Sequence, residues 1–558
     1  MKRFKKVISV SLVLVMVLSL VTACGDKKSG GTDRGKDGFN LTVTIASEPE
    51  TIDPSLNSAM DAADYILHTF EGLMKFEPSG DGEVKDTKVV EGQAESYEIS
   101  EDQCTYTFHL RDNIKWSDGK KVKADDFVYA WRRLVNPKTA SDYQSFINCV
   151  ENAEAIVAGE KDYTELGIEA TDDKTVVIKL VAPCAYFLDL VAGAQLVPLR
   201  EDIVDGNDSW TFEPDTYVSN GPFKMKEWNH DESLILEKND NYYDKDAVTV
   251  DQLTFMLMAD SNAILAGFQG GTLDMINQVP VDETTTMLAD GSLKTLPMLG
   301  TYCAVFNVEK APFDNPKVRE AFSLAIDRNY ICEKVTQTGE APATGWVPAG
   351  IKSKDASGND SDFRADGGDY YSVKPDDYAA NCEKAKELLA EAGYPEGKGF
   401  PVVEYLYNTL DSHQKIYEAL ENMWSTVLGV TVTGSNQDWN VFLSTREAGE
   451  FQLARHGWIA DFNDAMNFLD MFTTSSIDGN NYARWSNPDY DKAISAANVE
   501  VDPAKRATIL HDAEDLMMKD SIVAPLYFYQ DKYSLKEGLT GMYHTSLGYF
   551  FFKYVTNK

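Results

Sequence analysis

The sequence has little of what enzyme families use for catalysis. Its seven histidines are far apart along 558 residues, and there is no Cys-x-x-Cys, His-Glu-x-x-His, Gly-x-Ser-x-Gly or glycine-rich phosphate loop. These absences argue against zinc, serine-hydrolase and nucleotide chemistry built on a local motif. The sequence therefore predicts a protein that is not an enzyme and uses no metal or cofactor. A secreted hydrolase, with its groups brought together only by the fold, is the less favoured alternative.

Positive charge is also scarce. Lysine and arginine number 52 against 89 aspartates and glutamates, which gives a net charge of −37. A chain with this much negative charge repels nucleic acid and anionic lipid at long range. No nucleic-acid partner is therefore expected. The chain is 43% hydrophobic and 11% aromatic, which is enough to build cores. Its length exceeds what one core supports and predicts two or three domains.

The apolar run at 7–22 is shorter than the roughly 20 residues that a membrane-spanning helix needs. Four basic residues precede it and small residues follow it, which is the layout of a secretory signal. Val21-Thr22-Ala23-Cys24 resembles a bacterial lipobox, which implies a lipoprotein signal peptide at 1–23 and an acylated Cys24; an ordinary secretory peptide is the alternative. Removing 1–23 takes away four basic residues and no acidic one, so the mature charge is −41. Residues 24–38, rich in glycine and charge, are expected to form a flexible tether.

Six cysteines follow Cys24, and their spacing predicts no particular pairing. A secreted location permits disulfides, but a body of this size does not need them. We expect single buried thiols at positions 104, 149, 184, 303, 332 and 382.

Hydrophobic periodicity predicts interleaved strands and helices. Asn315-Pro316 has the pattern of a helix N-cap followed by proline, and Gly393 and Gly429 have the pattern of helix ends. Strands are expected at 41–46, 95–110 (two strands around a turn at 100–102), 175–180, 234–238, 248–258, 402–407, 430–433 and 523–529. Helices are expected at 62–74, before Asn136, near 262–268, from Pro316, at 378–392, before Gly429 and at 502–518.

A series of different short motifs follows in order along almost the whole mature chain. Together they resemble the extracellular solute-binding proteins of ABC importers, of the oligopeptide-binding type (solute-binding protein family 5). They are DP at 53–54, the stretch 94–134 with TFHLR and WSDG, SNGPF at 219–223, NDNYYD at 239–244, PFDNPKVREA at 312–321, 385–395, GWIADF at 457–462 and WSNPDYD at 485–491.

This resemblance implies an α/β, periplasmic-binding-protein-like fold of class II. Two lobes close on a ligand, and the first lobe carries an extra subdomain. The expected core of lobe one, domain I, is 39–77 plus 214–306 plus 526–558. The extra subdomain, domain II, is 78–213, and lobe two, domain III, is 307–525.

The resemblance also implies a site around 451–462. An extended peptide must satisfy its own backbone polar groups, and pairing with a protein strand does so without reading side chains. Gly457 would let a second backbone approach closely. In the family, the aspartate of the W-x-A-D-[YF] pattern, here Asp461, captures the α-ammonium group of the peptide. From the residues alone, Asp461 is equally suited to capping the helix that follows.

The remaining site residues follow from the same resemblance. Arginine suits a free carboxylate because its planar fork can bond twice, although Arg446 and Arg455 could instead form surface pairs with nearby glutamates. Ile459 replaces a cysteine that forms a bridge in some relatives, so that bridge is absent here. Residues 57–61 are expected to pair with the ligand backbone from the opposite lobe. Side-chain pockets and polar contacts are expected from Trp439, Trp458, Asn480 and Asn481.

The function implied is a lipid-anchored, extracellular, monomeric binding protein. It would capture oligopeptides and hand them to an ABC permease driven by a separate ATPase, touching the membrane only through its N-terminal lipid. Within the same fold, an oligosaccharide, a nickel complex, or a murein or signalling peptide remains an alternative ligand.

Overall fold

The computed structural model describes residues 38–45, 47–80, 84, 86–184, 186–477 and 479–557. The predicted signal peptide and Cys24 lie outside these residues, as does the predicted tether except for Gly38. Phe39–Thr556 form one compact unit. Its strands, in chain order, are β1 Asn40–Thr44, β2 Met74–Ser79, β3 Asp86–Glu91, β4 Ala94–Ile99, β5 Thr105–Leu110, β6 Ile168–Asp172, β7 Thr175–Lys179, β8 Phe223–Asn229, β9 Ser233–Lys238, β10 Gln252–Met256, β11 Met275–Ile276, β12 Lys294–Phe306, β13 Ala341–Pro342, β14 Lys352–Lys354, β15 Asp360–Asp362, β16 Val403–Asn408, β17 Val432–Gln437, β18 Leu453–Ile459, β19 Val523–Leu535, β20 Leu539–Thr540, β21 Tyr543–His544, β22 Phe550–Phe551 and β23 Thr556–Asn557.

The helices are interleaved with these strands, as expected for a mixed α/β fold. In the described part of the chain the α-helices are Met60–Thr69, Ala124–Val135, Ala153–Val157, Phe187–Val191, Glu201–Val204, Ser261–Gln269, Val281–Asp290, Pro316–Leu324, Arg328–Tyr330, Phe363–Gly367, Tyr378–Glu391, Asp411–Leu428, Trp439–Glu447, Met466–Leu469, Pro488–Val499 and Pro503–Lys519. Among them there is none with the length and apolar character that crossing a bilayer requires.

One large mixed sheet runs through the molecule in the order β17-β16-β18-β12-β19-β11-β1-β10-β9-β8, with β13 beside β19. The antiparallel pair β12 and β19 joins its two halves. Each of these strands has 13 residues, which is about 43 Å of extended chain. Their register shifts between Pro297 and Thr301, in the middle of the pair. The two halves of the sheet are therefore connected at a break in the ladder.

A separate sheet, in the order β4-β5-β7-β6, belongs to the region predicted as the extra subdomain. The helix Ala124–Val135 packs against β6 and β7 and buries Phe127, Trp131 and Leu134. A partly buried ion pair ties this helix to the loop after β1: Arg133 donates to both carboxylate oxygens of Asp53 at 2.7 Å. This bidentate geometry gives the Asp53-Pro54 motif a structural role.

Two main cores fill the body. The larger one includes Trp116 and Trp131 and extends through most of the molecule. The second lies under the β17-β16-β18-β12 half of the sheet and includes Phe322, Leu420 and Trp424. The predicted single thiols are confirmed as free cysteines, although Cys104 and Cys184 are only half-buried.

Many predicted elements are confirmed. β4 and β5 flank the predicted turn, Asn136 follows the last helical residue at 135, and the Asn315 side chain caps its helix by accepting the Lys317 N–H at 3.0 Å. Gly393 and Gly429 adopt φ of 98° and 70°, as helix-ending glycines do.

Other elements differ. The helix predicted to reach position 74 ends at Thr69, because the chain must turn sharply before β2; a Cβ at Gly72 would lie 2.8 Å from the Val191 carbonyl. The strand predicted at 430–433 is shifted to β17, β12 was not predicted, and β19 continues six residues beyond its predicted end.

Candidate ligand-binding cleft

A cavity of about 650 Å³ lies between the two halves of the large sheet, and its volume is in the range of ligand pockets. One wall is formed by residues near β1 and the helix Met60–Thr69, and the facing wall by β18 and the helix Trp439–Glu447. The region predicted as the extra subdomain contributes Tyr143 and Gln195. Of the predicted site residues, Trp439, Arg446, Arg455, Gly457, Trp458, Ile459 and Asp461 line this cavity, together with 58–61 of the predicted segment 57–61.

β18 presents an open backbone edge to the cavity. On one side it pairs antiparallel with β12 along its full length. On the other side, β16 pairs with it only at Leu453 and Ala454. In the described part of the chain no strand lies beside 455–459 on that side. Backbone N–H and C=O groups along such an edge can pair with an added extended chain.

Asp461 follows directly after this edge, and its side chain is buried. One carboxylate oxygen accepts a hydrogen bond from the Asn467 amide at 3.1 Å and lies 3.5 Å from the Tyr143 hydroxyl. Burial raises the pKa of Asp461 to about 7, and these two donors offset only part of that effect. Without a cation, the ionised carboxylate is destabilised in this position.

The alternative role of Asp461 as a helix cap does not agree with the structure. The next helix begins at Met466, and Asp464 accepts the Met466 N–H at 2.9 Å. The Asp461 carboxylate is therefore not used as a helix cap.

Asn467 holds this end of the cleft together and was not predicted. Its carbonyl oxygen accepts the Trp458 indole N–H at 3.0 Å and the Asp461 backbone N–H at 2.9 Å, and its amide donates to the Asp461 carboxylate. Trp458 is thereby fixed with its ring stacked on Tyr143, 6.2 Å between centroids. Neither the spacing nor the type of Asn467 and Tyr143 signals this role in the sequence.

Arg446 is buried and makes no ion pair among the described residues, so the surface pair considered from the sequence is not formed. Its guanidinium lies 3.9 Å from the centroid of the Tyr482 ring, and one of its nitrogens is 3.0 Å from Nδ1 of His456. Burial together with the two arginines lowers the pKa of His456 well below its usual value, so its imidazole is neutral. Burial also lowers the pKa of Arg446.

Arg455 lies in an aromatic setting. Its guanidinium carbon is 5.5 Å from the Tyr302 ring and 5.8 Å from the Trp439 ring. It too makes no ion pair with a carboxylate in the described part of the chain, and its buried Nε has no hydrogen-bond partner there. A positive charge held among aromatic rings, unpaired, is free to accept a ligand carboxylate.

Gly457 is needed for a different reason from the one predicted. A Cβ there would collide with the Tyr529 hydroxyl, so the space above Gly457 is filled by a side chain of the protein rather than left for a ligand backbone. Ile459 pairs with Gly300 of β12. The lack of a side chain at Gly457 thus allows Tyr529 to pack on β18.

Asn480 and Asn481 are not among the described residues that line the cavity. The Asn481 amide is fully buried and donates to three backbone carbonyls, those of Phe472, Thr473 and Trp485. It therefore holds its own loop in place, so the expected polar contact with a ligand does not agree with this position. The described residues contain no cluster of three or more His, Cys, Asp or Glu side chains able to hold a metal ion.

Comparisons with known proteins agree on one family. The family model for bacterial extracellular solute-binding proteins, family 5, matches residues 88–480. The oligopeptide-binding protein OppA of Bacillus subtilis is 35% identical over 562 residues, covering 99% of both chains. The crystal structure of Haemophilus influenzae OppA in complex with the peptide RPPGFSPFR has a TM-score of 0.83 and 32% identity, and covers 90% of this chain and 96% of that one.

The conformation can be compared as well. The unliganded open form of the murein tripeptide-binding protein MppA has 31% identity and covers 95% of this chain and 99% of that one, but its TM-score is only 0.60. The present structure thus resembles the peptide complex more closely than the open form. In agreement with that, Tyr186 of the region predicted as the extra subdomain stacks on Phe462, which follows β18, with 4.3 Å between centroids.

Proposed function

This chain belongs to the bacterial extracellular solute-binding proteins of family 5, and from that premise we propose that it captures oligopeptides with a free α-amine between its two lobes and delivers them to an ABC permease. The observation that carries this proposal is the open edge of β18 that ends at the buried Asp461. An extended peptide added to the edge satisfies its backbone there, and its ammonium group pairs with the carboxylate.

The opposite end of the peptide is assigned to the arginines. Asp461 and Arg455 are six positions apart, which corresponds to about 20 Å of strand. A peptide of about three to five residues spans this distance once both side chains lean toward it. The Arg455 guanidinium then receives the free carboxylate, with Arg446 as a second cation nearby.

Closure of the lobes accompanies binding. Tyr143, from the extra subdomain, contacts Asp461 and Trp458 of lobe two across the cleft. A peptide that bridges both walls interacts more strongly with the closed form and so shifts the population toward it. The lobe boundaries we propose are those predicted from the sequence, with the crossover through β12 and β19.

The lipid anchor remains a proposal that rests on the Val21-Thr22-Ala23-Cys24 tetrad. Cleavage before Cys24 and acylation of this residue would tether the acidic monomer outside the membrane. The mass of the mature N-terminal peptide tests this: we expect acyl chains on Cys24, and an unmodified N-terminal residue other than Cys24 would contradict it.

Calorimetry with tetra-alanine in four forms tests the proposed function. Protein that has been unfolded and refolded, to remove bound ligand, is titrated with the free peptide, the N-acetyl peptide, the C-terminal amide and the doubly blocked peptide. We expect the free peptide to bind, the acetyl peptide to lose about 100-fold or more in affinity, and the amide to lose less, because two arginines share the carboxylate end.

Equal binding of the free and acetylated peptides would contradict the role of the cleft in amine capture. Mass spectra of each peptide after incubation with the protein are expected to show no cleavage. Hydrolysed product would favour the alternative of a secreted hydrolase.

A further inference from the structure

The cleft carries more negative than positive charge. Among the described residues, two guanidinium groups line it. The lining histidines His413 and His456 are neutral, because burial, with the charge of Arg455 nearby, lowers the pKa of each well below its usual value. The carboxylates that line it are those of Glu48, Asp61, Asp231, Asp438 and Asp461. When the two termini of a peptide pair with Asp461 and one arginine, the remaining charged groups of the cleft are mostly carboxylates. These carboxylates face the side chains of the peptide.

Several of these carboxylates are exposed or already have partners. Glu48 accepts the Asp231 backbone N–H at 3.0 Å and lies 2.6 Å from Nδ1 of His230. Asp231 and Asp438 are exposed at the margin of the cleft. Asp61 is the remaining carboxylate on the wall that faces β18.

Asp61 is half-buried at the start of the helix Met60–Thr69. Its carboxylate accepts the Ala62 N–H at 2.9 Å, and within the described residues it makes no ion pair. Burial raises the pKa of Asp61 to about 6, and the nearby carboxylate of Glu50 acts in the same direction. Its surroundings thus favour a bound cation, and no cation among the described residues is paired with it.

The Trp439 indole lies beside Asp61. Both residues line the same cavity, and the buried indole N–H has no hydrogen-bond partner among the described residues. Burial raises the pKa of Asp61, and the neighbouring Trp439 side chain lowers it again in part. The Arg455 guanidinium lies 5.8 Å from the centroid of the same ring, so this indole already has one cation beside it. An aromatic face next to a carboxylate is a suitable surface for an ammonium or guanidinium group.

We propose that Asp61 and the Trp439 indole form a subsite for a cationic side chain, so that this protein selects peptides containing lysine or arginine. The inference rests on the proposed function and adds the class of peptide. The methylene part of the side chain packs against the indole, and the charged end lies at the Asp61 carboxylate.

A lysine scan of tetra-alanine tests the subsite. Each of the four positions is replaced in turn by lysine or by norleucine, which has nearly the same shape without the charge, and each pair is compared by calorimetry. At one position or more we expect lysine to bind about tenfold more tightly than norleucine. In Asp61→Asn this ratio is expected to fall below about twofold, because asparagine keeps the acceptor for Ala62 but loses the charge.

Asp231→Asn is the matched control. Asp231 also lines the cleft but is exposed, and its positive φ of 61° suits asparagine, so the tenfold ratio is expected to persist. Trp439→Leu removes the aromatic face but not the carboxylate, and it is expected to reduce the ratio of lysine-peptide to norleucine-peptide affinity. This variant tests the subsite if Asp61→Asn does not fold.

Two results overturn the subsite: equal binding of lysine and norleucine peptides at every position, or a lysine preference that survives both Asp61→Asn and Trp439→Leu. If no peptide binds, tetra-alanine included, the proposed function itself fails and the subsite with it. Binding of tetra-alanine without a lysine preference rejects only the subsite.

Discussion

Replacing Asp461 by asparagine is expected to lower the affinity for free tetra-alanine by about 100-fold. Truncating or neutralising one partner of a buried charge pair costs about 2–5 kcal/mol, and each 1.4 kcal/mol is a factor of ten. The variant keeps the shape of the side chain and a carbonyl acceptor for Asn467, so the loss is specific to charge. Calorimetry on ligand-free protein measures it, and an unchanged affinity for the free peptide would show that the amine is bound elsewhere.

The matched control is Asp470→Asn. Burial, together with the Asp461 charge, raises the pKa of Asp470 to about 7, but Asp470 does not line the cleft among the described residues. This variant is therefore expected to bind free tetra-alanine within about twofold of the unmodified protein. The N-acetyl peptide is expected to bind Asp461→Asn and the unmodified protein with similarly low affinity.

The direction in which Asp461→Asn changes the stability of the unliganded protein can also be predicted. The folded pKa of about 7 lies above the ordinary value of 3.8, so the stability associated with this carboxyl is fully present below pH 3.8 and is lost as the pH rises through 7. Asparagine does not titrate. At pH 8 the variant is expected to melt at the same temperature as the unmodified protein or higher, which separates a binding defect from a folding defect.

How much of the fold the sequence predicts depends on where each signal lies. The helix from Pro316 and the hairpin β4–β5 were predicted because caps, turns and apolar spacing are local signals. β12 was missed because Pro297 and Gly300 interrupt its alternation, and its partners β18 and β19 are far away in sequence. The register shift at this point is a feature of the tertiary structure, and it lies where the two halves of the large sheet meet.

The same division applies to the cleft. The resemblance of 457–462 to a family pattern led to Asp461 and Trp458, both of which line the cavity. Asn467 and Tyr143 were not predicted, because their roles arise only when a later loop and the region predicted as the extra subdomain meet β18. Gly457 was singled out correctly as a close-approach position, but the group that approaches it is Tyr529. Sequence patterns thus indicated the residues that present charge, and the structure adds those that hold them in position.

Peptide binding is expected to depend strongly on pH, with greatest affinity between pH 7 and 8. Only the ionised form of Asp461 pairs with an ammonium group, and burial raises its pKa to about 7 in the unliganded protein. Below pH 7 the affinity is expected to fall tenfold per unit, or about 100-fold by pH 5, since the carboxyl must first release its proton. Above pH 8 it falls again, because the peptide amine, with a pKa of about 8, loses its charge.

Calorimetry in buffers of different ionisation enthalpy measures the coupled proton directly. At pH 5 to 6 we expect about one proton released per peptide bound, and at pH 9 about one proton taken up. Tyr143, Tyr549 and Asp470 are titratable neighbours of Asp461. Burial together with the Asp461 charge raises the pKa of both tyrosines well above the usual value, so neither ionises in this range. Asp470→Asn is expected to keep the loss of affinity at low pH. An affinity that is constant from pH 5 to 8 would contradict this prediction. It would mean that Asp461 is ionised throughout this pH range in the empty cleft, and that burial does not raise its pKa.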